Sequence, residues 1–540
     1  MPAIPRIRQL AFAVLVLGGA AIGSAAGRGP ASTEVRNGGT FRIAFPATSV
    51  ASLDPALSYD LSGWALLDTT CARLMGNPDK PAPEGLRVVP EVAAADPAAS
   101  PDRRTWTFRI RSGFRFSDGK PVRASAFAQA ILRTLAPGIR SPGAQYTQDI
   151  VGAKEFRAGK ATTVAGVTAR GNTLVVRFKR AVPDFPAQTT MPFFCAVPPG
   201  LPADPEGKAV FTSAGPYFVS EYRAGERAVL ERNRFYRGKR PHHVERFVVD
   251  LQASSGADVL DRIERGDADW GSAGPPDYNA PDRRLAAKYG INRGRFFVTP
   301  GLGLSVFVLN TSRPLFRDNP RLRRAVNFAL DRRALRRLRG PLASSPTDQY
   351  MPPSMPGFRD ARIYPLNGPD LNKARSLARG HTRAGKAVLY TFDSPPTLAN
   401  AQIIKQNLAK IGIDVVVVGI PVPAYFSRLA TPAEPYDLAF YPWAPDYADP
   451  YGIVNVLLDG QFATNASHFD SAKYNRLLRQ AALLRGTARY RAYGTLDVQL
   501  SRDAAPMAAI DNSNELTLVS KRVGCVVLRP ALDLTAVCLK

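Results

Sequence analysis

Histidine and cysteine are scarce in this chain, which contains only four of each among 540 residues. None of the histidines has the HExxH spacing of a zinc protease. His242 and His243 are adjacent and would point to opposite faces of an extended segment, which disfavours joint ligation of a metal. No CxxC or Cys/His spacing is present either. The sequence therefore predicts no metal site and no cofactor, and we expect the histidines to lie at the surface.

The motifs of nucleotide-dependent and hydrolytic enzymes are also missing. There is no Walker lysine motif and no GxSxG nucleophile elbow. A loop that begins with Gly301-Leu302-Gly303 resembles a dinucleotide fingerprint, but Val306 occupies the sixth position, where glycine is needed. We therefore expect that the protein is not an enzyme. A hydrolase is the remaining catalytic alternative, and it predicts turnover of peptide esters that depends on a single serine.

Acidic residues are outnumbered: 45 Asp and Glu stand against 71 Lys and Arg, giving a formal net charge of +26. The densest basic cluster spans residues 321–339, where apolar residues hold one helical face and most arginines lie off it. This pattern is typical of a solvated basic face, and a patch for polyanions or anionic membranes is the alternative. Without a zinc knuckle or an aromatic RNA-binding signature, no nucleic-acid partner is predicted.

Long apolar runs are absent except near the N-terminus. Arg6 and Arg8 precede an apolar run over residues 10–22, and a small-x-small cleavage site follows at 24–26. This order is typical of a secretory signal peptide over residues 1–26. The run is short for a membrane span and is broken by glycines, although an uncleaved tether stays open as an alternative. Since no cysteine lies near the cleavage site, no lipoprotein anchor is predicted.

Four cysteines in an exported chain favour two disulfides. Cys525 and Cys538 are close in sequence and flank a proline-containing turn, so we pair them. Cys71 then pairs with Cys195. The rival interpretation, a metal site, has no support from the spacing.

The segment from Trp106 to Leu132, WTFRIRSGFRFSDGKPVRASAFAQAIL, carries the most information. Trp106, Phe108 and Ile110 alternate with polar residues as in a strand, turn residues follow, and Ser125 suits the N-cap of an apolar helix. The order of residue types resembles "YTFxLRxGVKFHDGxPVTAxDVxxS", a signature of bacterial extracellular solute-binding proteins of family 5. These are the oligopeptide, dipeptide and nickel receptors of ABC importers.

Further segments resemble the same family, so that the resemblance covers about residues 38–523. They are the opening GGTFRIAFPATSVASLDP, the segment AGPYFVSEYRAGERAVLERNRFYRGKRP, the segment FVLNTSRPLFRDNPRLRRAVNFALDRRAL, and the stretch from SAKYNRLLRQAALL to YGTLDVQLSRDAAPMAAI. Independently of the family, residues 387–392, 398–410 and 413–418 read as a strand, a helix and a strand, and so as a βαβ unit.

The resemblance implies an α/β fold of the type II periplasmic-binding-protein class. Two lobes with mixed sheets would be joined by a hinge with two chain crossings, and a small α/β subdomain would be added to one lobe. Lobe I would comprise residues 38–74, 209–301 and 504–540, the extra subdomain 75–208, and lobe II 302–503.

The predicted ligand wall is the tract Tyr436 to Gly452, which resembles "YDxxxxGWxxDYxDPxxF" of the family. In peptide-binding members the first aspartate of "DYxDP" pairs with the α-ammonium of the peptide, and that role falls on Asp446. A carboxylate in a closed cleft suits this task because its hydrogen bonds to a cation are charge-assisted. Asp449 fits better as the cap of a turn before Pro450. Pro442 replaces the glycine that the family often has, so the backbone of the loop could be set differently.

Five aromatic residues are candidates for ligand contact beside Asp446, although each could instead belong to a lobe core. They are Trp443, Tyr447, Tyr59, Trp64 and Trp270.

The resemblance further implies an extracytoplasmic, monomeric substrate-binding protein of an ABC importer. Its ligand, a peptide in the first instance, would be captured by hinge closure and delivered to a membrane permease and, through it, to ATPase subunits. Two alternatives stay open. One is the same fold acting as a ligand sensor or chaperone, and the other is a basic secreted polyanion-binding protein whose affinity would fall steeply with salt.

Overall fold

The structure is a computed structural model that describes residues 37–272, 282–337, 340, 342–431 and 433–540. The predicted signal peptide therefore lies outside the described residues. Within the described ranges, no helix combines the length and the apolar character needed to cross a membrane.

The strands cover both halves of the described chain. They are β1 (Thr40–Pro46), β2 (Met75–Gly76), β3 (Val89–Pro90), β4 (Ala98–Ala99), β5 (Thr105–Arg109), β6 (Val167–Arg170), β7 (Thr173–Arg177), β8 (Tyr217–Arg223), β9 (Arg227–Arg232), β10 (Arg246–Ala253), β11 (Trp270–Ser272), β12 (Phe296–Leu309), β13 (Ser344–Pro346), β14 (Ala387–Phe392), β15 (Val415–Ile420), β16 (Leu438–Trp443), β17 (Met507–Val519), β18 (Val523–Cys525), β19 (Leu528–Arg529), β20 (Ala531–Leu532) and β21 (Cys538–Leu539).

The α-helices are interspersed among these strands. They are α1 (Leu61–Thr70), α2 (Ala124–Leu135), α3 (Ala144–Thr147), α4 (Ala153–Arg157), α5 (Phe185–Gln188), α6 (Gly256–Arg265), α7 (Asp282–Tyr289), α8 (Pro320–Ala329), α9 (Arg332–Arg337), α10 (Leu371–Ala378), α11 (Pro395–Ala409), α12 (Val422–Leu429), α13 (Tyr451–Leu458), α14 (Ala472–Leu483) and α15 (Gly486–Gln499). Short 3₁₀ turns at Glu84–Leu86, Pro192–Phe194 and Leu534–Ala536 and a π-helical turn at Leu500–Ala504 complete the helical segments of the described chain.

One mixed sheet runs through the molecule in the order β15-β14-β16-β12-β17-β11-β1-β10-β9-β8, with β13 paired to β17. β14 and β15 pair in parallel and are joined by α11, which confirms the predicted βαβ unit. β1 is parallel to β10 and β11, whereas β12, β17 and their other neighbours are antiparallel. The mixed α/β class predicted from the sequence is confirmed.

Two long strands, β12 and β17, connect the two halves of the sheet. They pair with each other from Phe296 opposite Leu518 to Val308 opposite Met507, and the register shifts between Pro300 and Leu304. β16 joins β12 only from Leu304 onward, whereas β11 joins β17 only from Thr517 onward. These strands are the two chain crossings that a hinge requires, and the lobe bounds given above stay a prediction.

Each region packs its own hydrophobic core. A small sheet in the order β4-β5-β7-β6 packs against α2, and their shared core contains Trp106 and Phe108 of β5 and Phe127 of α2. We call β4 to β7 with α2 to α5 the small-sheet unit. On β12, Val306 and Phe307 belong to different cores because successive side chains of a strand point to opposite faces. The strand predicted at Trp106 is confirmed. The predicted cap is wrong, since α2 begins at Ala124 after Arg123.

The basic cluster at 321–339 differs from its predicted solvated face. The described part of the segment forms two helices, α8 and α9, separated by Leu330 and Asp331, and residues 338 and 339 lie outside the described residues. Arg323 is buried and donates to the carbonyl oxygens of Phe316 and Ala504. Arg332 is fully buried and donates to the carbonyl oxygens of Thr347, Ala509 and Asn327. These two arginines therefore satisfy buried backbone acceptors and offer nothing to a polyanion.

The four cysteines form two disulfides, and these are the two pairs given by the sequence analysis. Cys71, after α1, is bonded to Cys195 with a Cα–Cα distance of 5.2 Å. Cys525 of β18 is bonded to Cys538 of β21 with a Cα–Cα distance of 4.9 Å. The four histidines are each partly buried, so the expectation that they lie at the surface is only half correct.

Candidate ligand-binding site

An open cavity of about 340 Å³ lies where the loop after β16 faces the segment before α1 and the small-sheet unit. Its size is within the range of pockets that hold small ligands. The cavity is lined by polar and aromatic side chains from segments that are far apart in the sequence. They include Tyr59, Gln145, Tyr146, Asp149, Arg180, Asp184, Gln188, Trp443, Asp446, Tyr447, Tyr451, Phe462 and Thr464.

Asp446 is the half-buried carboxylate at the centre of this arrangement. The hydroxyl of Tyr59 donates to its two oxygens at 3.1 and 2.9 Å. The hydroxyl of Tyr146, which lies in α3, donates to Oδ2 of the same carboxylate. Tyr59 precedes α1, and Tyr146 lies 300 residues before Asp446, so three distant segments meet at one carboxylate.

Both tyrosines stay protonated at neutral pH. Burial, followed by the negative charge of Asp446, raises the pKa of Tyr59 to about 12. The same two causes raise the pKa of Tyr146 further. Within the described chain, no Lys or Arg side chain lies within ion-pair distance of Asp446. The Asp446 carboxylate is therefore held by neutral donors and keeps its charge available to a cation.

Asp449, three residues later, has a different environment. Its carboxylate accepts from Nε and Nη2 of Arg489 at 3.0 and 2.7 Å, and both side chains are buried. It also accepts from the backbone N–H of Tyr451 at 2.9 Å, at the first residue of α13. Bidentate pairing of this kind fixes geometry as well as charge. Asp449 thus anchors the loop that carries Asp446.

Tyr447 reaches out of its own loop into the core of the small-sheet unit, where its ring is buried. Its hydroxyl donates to Asp184, which also accepts from Nε2 of Gln188 at 2.9 Å. Burial raises the pKa of the Asp184 carboxyl, although both hydrogen bonds oppose the rise. Tyr447 therefore serves chiefly to lock the loop against the small-sheet unit.

The three tryptophan candidates have different positions. Trp443 lines the cavity, stacks on Tyr441 and donates its indole N–H to the carbonyl oxygen of Gly452 at 2.8 Å. Trp64 packs edge-to-face against Tyr59 at 5.8 Å and supports it from behind. Trp270 lies apart from the cavity, 4% exposed, in the core of the half-sheet that contains β1. Asp446, Trp443, Tyr447 and Tyr59 are therefore brought together, and Trp270 is not.

The model of "Bacterial extracellular solute-binding proteins, family 5 Middle" matches residues 87–465. The chain belongs to this family. Family 5 consists of solute-binding proteins of transport systems and not of enzymes. Because periplasmic binding proteins are among the relatives of this chain, the protein is extracytoplasmic.

Relatives of known name extend over most of the chain. It is 25% identical to the oligopeptide-binding protein OppA of Bacillus subtilis strain 168, with 86% of each chain covered. It is 26% identical to the probable D,D-dipeptide-binding periplasmic protein DdpA of Escherichia coli K12, over 90% of this chain and 91% of the relative.

Solved structures of family 5 proteins have the same fold. The clavulanic acid biosynthesis oligopeptide binding protein 2 superposes with a TM-score of 0.78 at 26% identity, covering 93% of this chain and 96% of the other. The unliganded open form of MppA, a periplasmic murein tripeptide-binding protein, gives a TM-score of 0.80 at 22% identity, covering 94% and 99%. The two-lobed type II fold predicted from the family 5 signature is thereby confirmed.

Several residues of this candidate site were missed by sequence reasoning. Tyr146 and Gln188 lie in the short helices α3 and α5, which have too few turns for a periodic pattern. Arg180 and Asp149 form an ion pair of 2.5 Å on the same cavity. No local sequence motif marks Tyr146, because its role depends on where α3 lies in the folded small-sheet unit.

Proposed function

We propose that this protein is the substrate-binding protein of an ABC importer and that it captures peptides by their free N-terminus. The observation that carries the proposal is Asp446, a carboxylate that lines the cavity and whose described partners are two neutral tyrosine hydroxyls. An α-ammonium placed there would form charge-assisted hydrogen bonds, which are about twice as strong as neutral ones. The names of OppA and DdpA, which specify oligopeptides and a dipeptide, support the same ligand class.

Other groups on the cavity suit the rest of a peptide. Trp443 offers a flat, half-buried surface for side chains at low entropy cost. Arg180 is 57% exposed in its pair with Asp149, so a ligand carboxylate could exchange partners with it. Gln188 lies on the cavity wall, and its buried Oε1 has no hydrogen-bond partner in the described chain.

Capture would follow from the hinge. Asp446 belongs to the half of the sheet with β16, whereas Tyr59 precedes α1 on the other half. A ligand that touches both sides stabilises the closed state by its differential affinity for that state. The closed protein, a monomer exported by its signal peptide, would then deliver the ligand to a permease coupled to ATPase subunits. No covalent step is required.

The polyanion-binding alternative loses its main support in the basic cluster. Two of its central arginines, Arg323 and Arg332, are buried and bound to backbone carbonyl oxygens. The sensor or chaperone alternative would use the same cavity, and genes for a permease and an ATPase next to the gene for this protein would favour import.

The test begins with native mass spectrometry of the mature protein as purified. Adducts at peptide masses identify a ligand, which is then synthesised with a free and with an N-acetylated terminus. We expect Asp446→Asn to weaken the free-amine peptide about 10- to 100-fold in calorimetric titrations, since a hydrogen bond to a charged group is worth about 1.5–3 kcal/mol. The N-acetylated peptide should bind weakly to both forms.

Asp360→Asn serves as the control, because Asp360 is exposed and lies outside the cavity. Equal losses for both peptides in Asp446→Asn would remove Asp446 from the amine contact. A single non-peptide adduct would instead redirect the cavity to another ligand class.

A further inference from the structure

A second cavity lies between the small-sheet unit and the turn that joins α14 to α15. It shares Asp184 with the ligand cavity, but the remainder of its wall is separate from that of the ligand cavity. Trp106 and Pro186 contribute from one side, and Leu483, Leu484 and Arg485 from the other. Nothing in the proposed peptide binding uses this space.

Two arginines converge on this cavity from the two sides. The guanidinium carbons of Arg103 and Arg485 lie 6.0 and 5.9 Å from the ring centroid of Trp106. Arg103 also donates to the carbonyl oxygen of Leu483 at 2.8 Å, which uses one of its five donors. In the described part of the chain, neither arginine has a carboxylate within ion-pair distance.

Two of the three arginines on this wall, Arg103 and Arg485, have no ion-pair partner in the described chain. Partial burial, followed by the charges of Arg485 and Arg489, lowers the pKa of Arg103. Of the carboxylates on the wall, Asp449 is bound to Arg489, and Asp184 accepts from Tyr447. Asp96 also lines the cavity but is exposed to solvent. Like charges held together in this way are stabilised when an anion joins them.

The other half of the wall is apolar. Leu483 is 45% exposed and Leu484 is 42% exposed, although large aliphatic side chains are usually buried. Pro97, Pro186 and Ala187 continue this surface toward the buried ring of Trp106. An occupant must therefore combine an apolar body with an anionic group.

We infer that this second cavity binds a small amphipathic carboxylate, with the carboxylate between Arg103 and Arg485 and the apolar body along Leu483 and Leu484. Guanidinium groups bind carboxylates through paired hydrogen bonds, and the apolar part is removed from water. Such a ligand would bridge the small-sheet unit and the α14–α15 turn. The inference does not depend on the peptide ligand proposed above.

The test uses octanoate, with octylammonium as the probe of opposite charge and acetate as the probe without an apolar body. Calorimetric titrations of the mature protein should show saturable binding of octanoate alone. We expect Arg103→Gln and Arg485→Gln each to weaken octanoate about tenfold or more, as charge-assisted hydrogen bonds are lost. Arg104→Gln is the matched control, since Arg104 is a neighbouring exposed arginine that does not line the cavity.

Asp446→Asn locates the binding. An unchanged octanoate affinity in this variant supports the second cavity, and a changed one would assign octanoate to the peptide cavity and overturn the inference. An equal loss of octanoate affinity in Arg104→Gln would show that the overall positive charge, and not the cavity, attracts octanoate, and it would overturn the inference. The inference would also be overturned if octanoate showed no saturable binding. The same conclusion would follow if an acidic peptide, but not octanoate, bound with this dependence on the two arginines. Circular dichroism confirms that each variant is folded.

Discussion

Asp446 and Asp449 occupy the same loop, three residues apart, yet their surroundings differ in every respect that matters for binding. Asp449 is buried and paired with a buried cation, Arg489. Asp446 is half-buried and accepts only from the hydroxyls of Tyr59 and Tyr146 in the described chain. One carboxylate has its charge neutralised inside the protein, and the other keeps its charge facing a cavity.

The difference shows how one loop can use one carboxylate, Asp449, to fix its own position and another, Asp446, to face a ligand. A buried ion pair fixes backbone position because breaking it leaves an uncompensated charge. A carboxylate held by neutral donors is oriented without being neutralised, so an incoming cation gains the full electrostatic interaction. Tyr447, which is placed between the two aspartates in sequence and bonded to Asp184, adds a second anchor. The rigid side of the loop thus positions the available carboxylate.

The largest effect should come from removing the anchor. Asp449→Asn leaves the Arg489 guanidinium buried without a counter-charge, and we expect the apparent free energy of unfolding to fall by about 3–5 kcal/mol. Asp446→Asn should lower it by about 1 kcal/mol or less, because its partners are neutral and its site is partly hydrated. Urea titrations of both variants beside the wild type measure the contrast.

A small loss in Asp449→Asn would mean that water reaches Arg489 and that the loop has no buried anchor. A large loss in Asp446→Asn would make both aspartates structural. Either result would end the distinction between the two carboxylates on which the binding proposal depends.

Much of the fold could be predicted because local patterns of apolar and polar residues determine its strands and helices. Alternating residues gave β5, and the order of strand, helix and strand gave the parallel pair β14 and β15 around α11. The wall motif likewise predicted that Trp443 and Asp446 would share a site, since both belong to one short tract. Features of this kind can be predicted because all the residues that determine them lie in one short segment of the sequence.

The partners across the cavity could not be predicted, because they depend on contacts between distant segments. Tyr146 meets Asp446 across 300 residues, and Tyr447 meets Asp184 across 263. Trp270 was one of the aromatic candidates for ligand contact, but β11 lies between β1 and β17 in the sheet interior, which buries its ring. The solvated face predicted for the basic cluster was wrong for a similar reason, since one of the carbonyl groups that Arg332 satisfies belongs to Ala509 of β17, 177 residues away.

A smaller effect should follow the loss of one donor to Asp446. Tyr146→Phe removes a hydrogen bond to a charged acceptor at a partly buried position, and we expect a loss of about 1.5 kcal/mol in the free energy of unfolding. Tyr222→Phe is the matched control, because the buried Tyr222 hydroxyl has no hydrogen-bond partner in the described chain. Losses of equal size in the two variants would show that the Tyr146 hydroxyl does not hold Asp446.

The smallest effect should come from Tyr59, which donates to the same carboxylate but is 48% exposed. Water can replace its hydroxyl at Asp446, so Tyr59→Phe should cost only about 0.5 kcal/mol of unfolding free energy in the same urea titrations. Its ring would still pack on Trp64 and Phe193, and so the cavity wall should keep its shape. A cost as large as that of Tyr146→Phe would show that the Tyr59 side of Asp446 is closed to water. The carboxylate would then be as enclosed as Asp449 and could accept a ligand ammonium only after Tyr59 moved away.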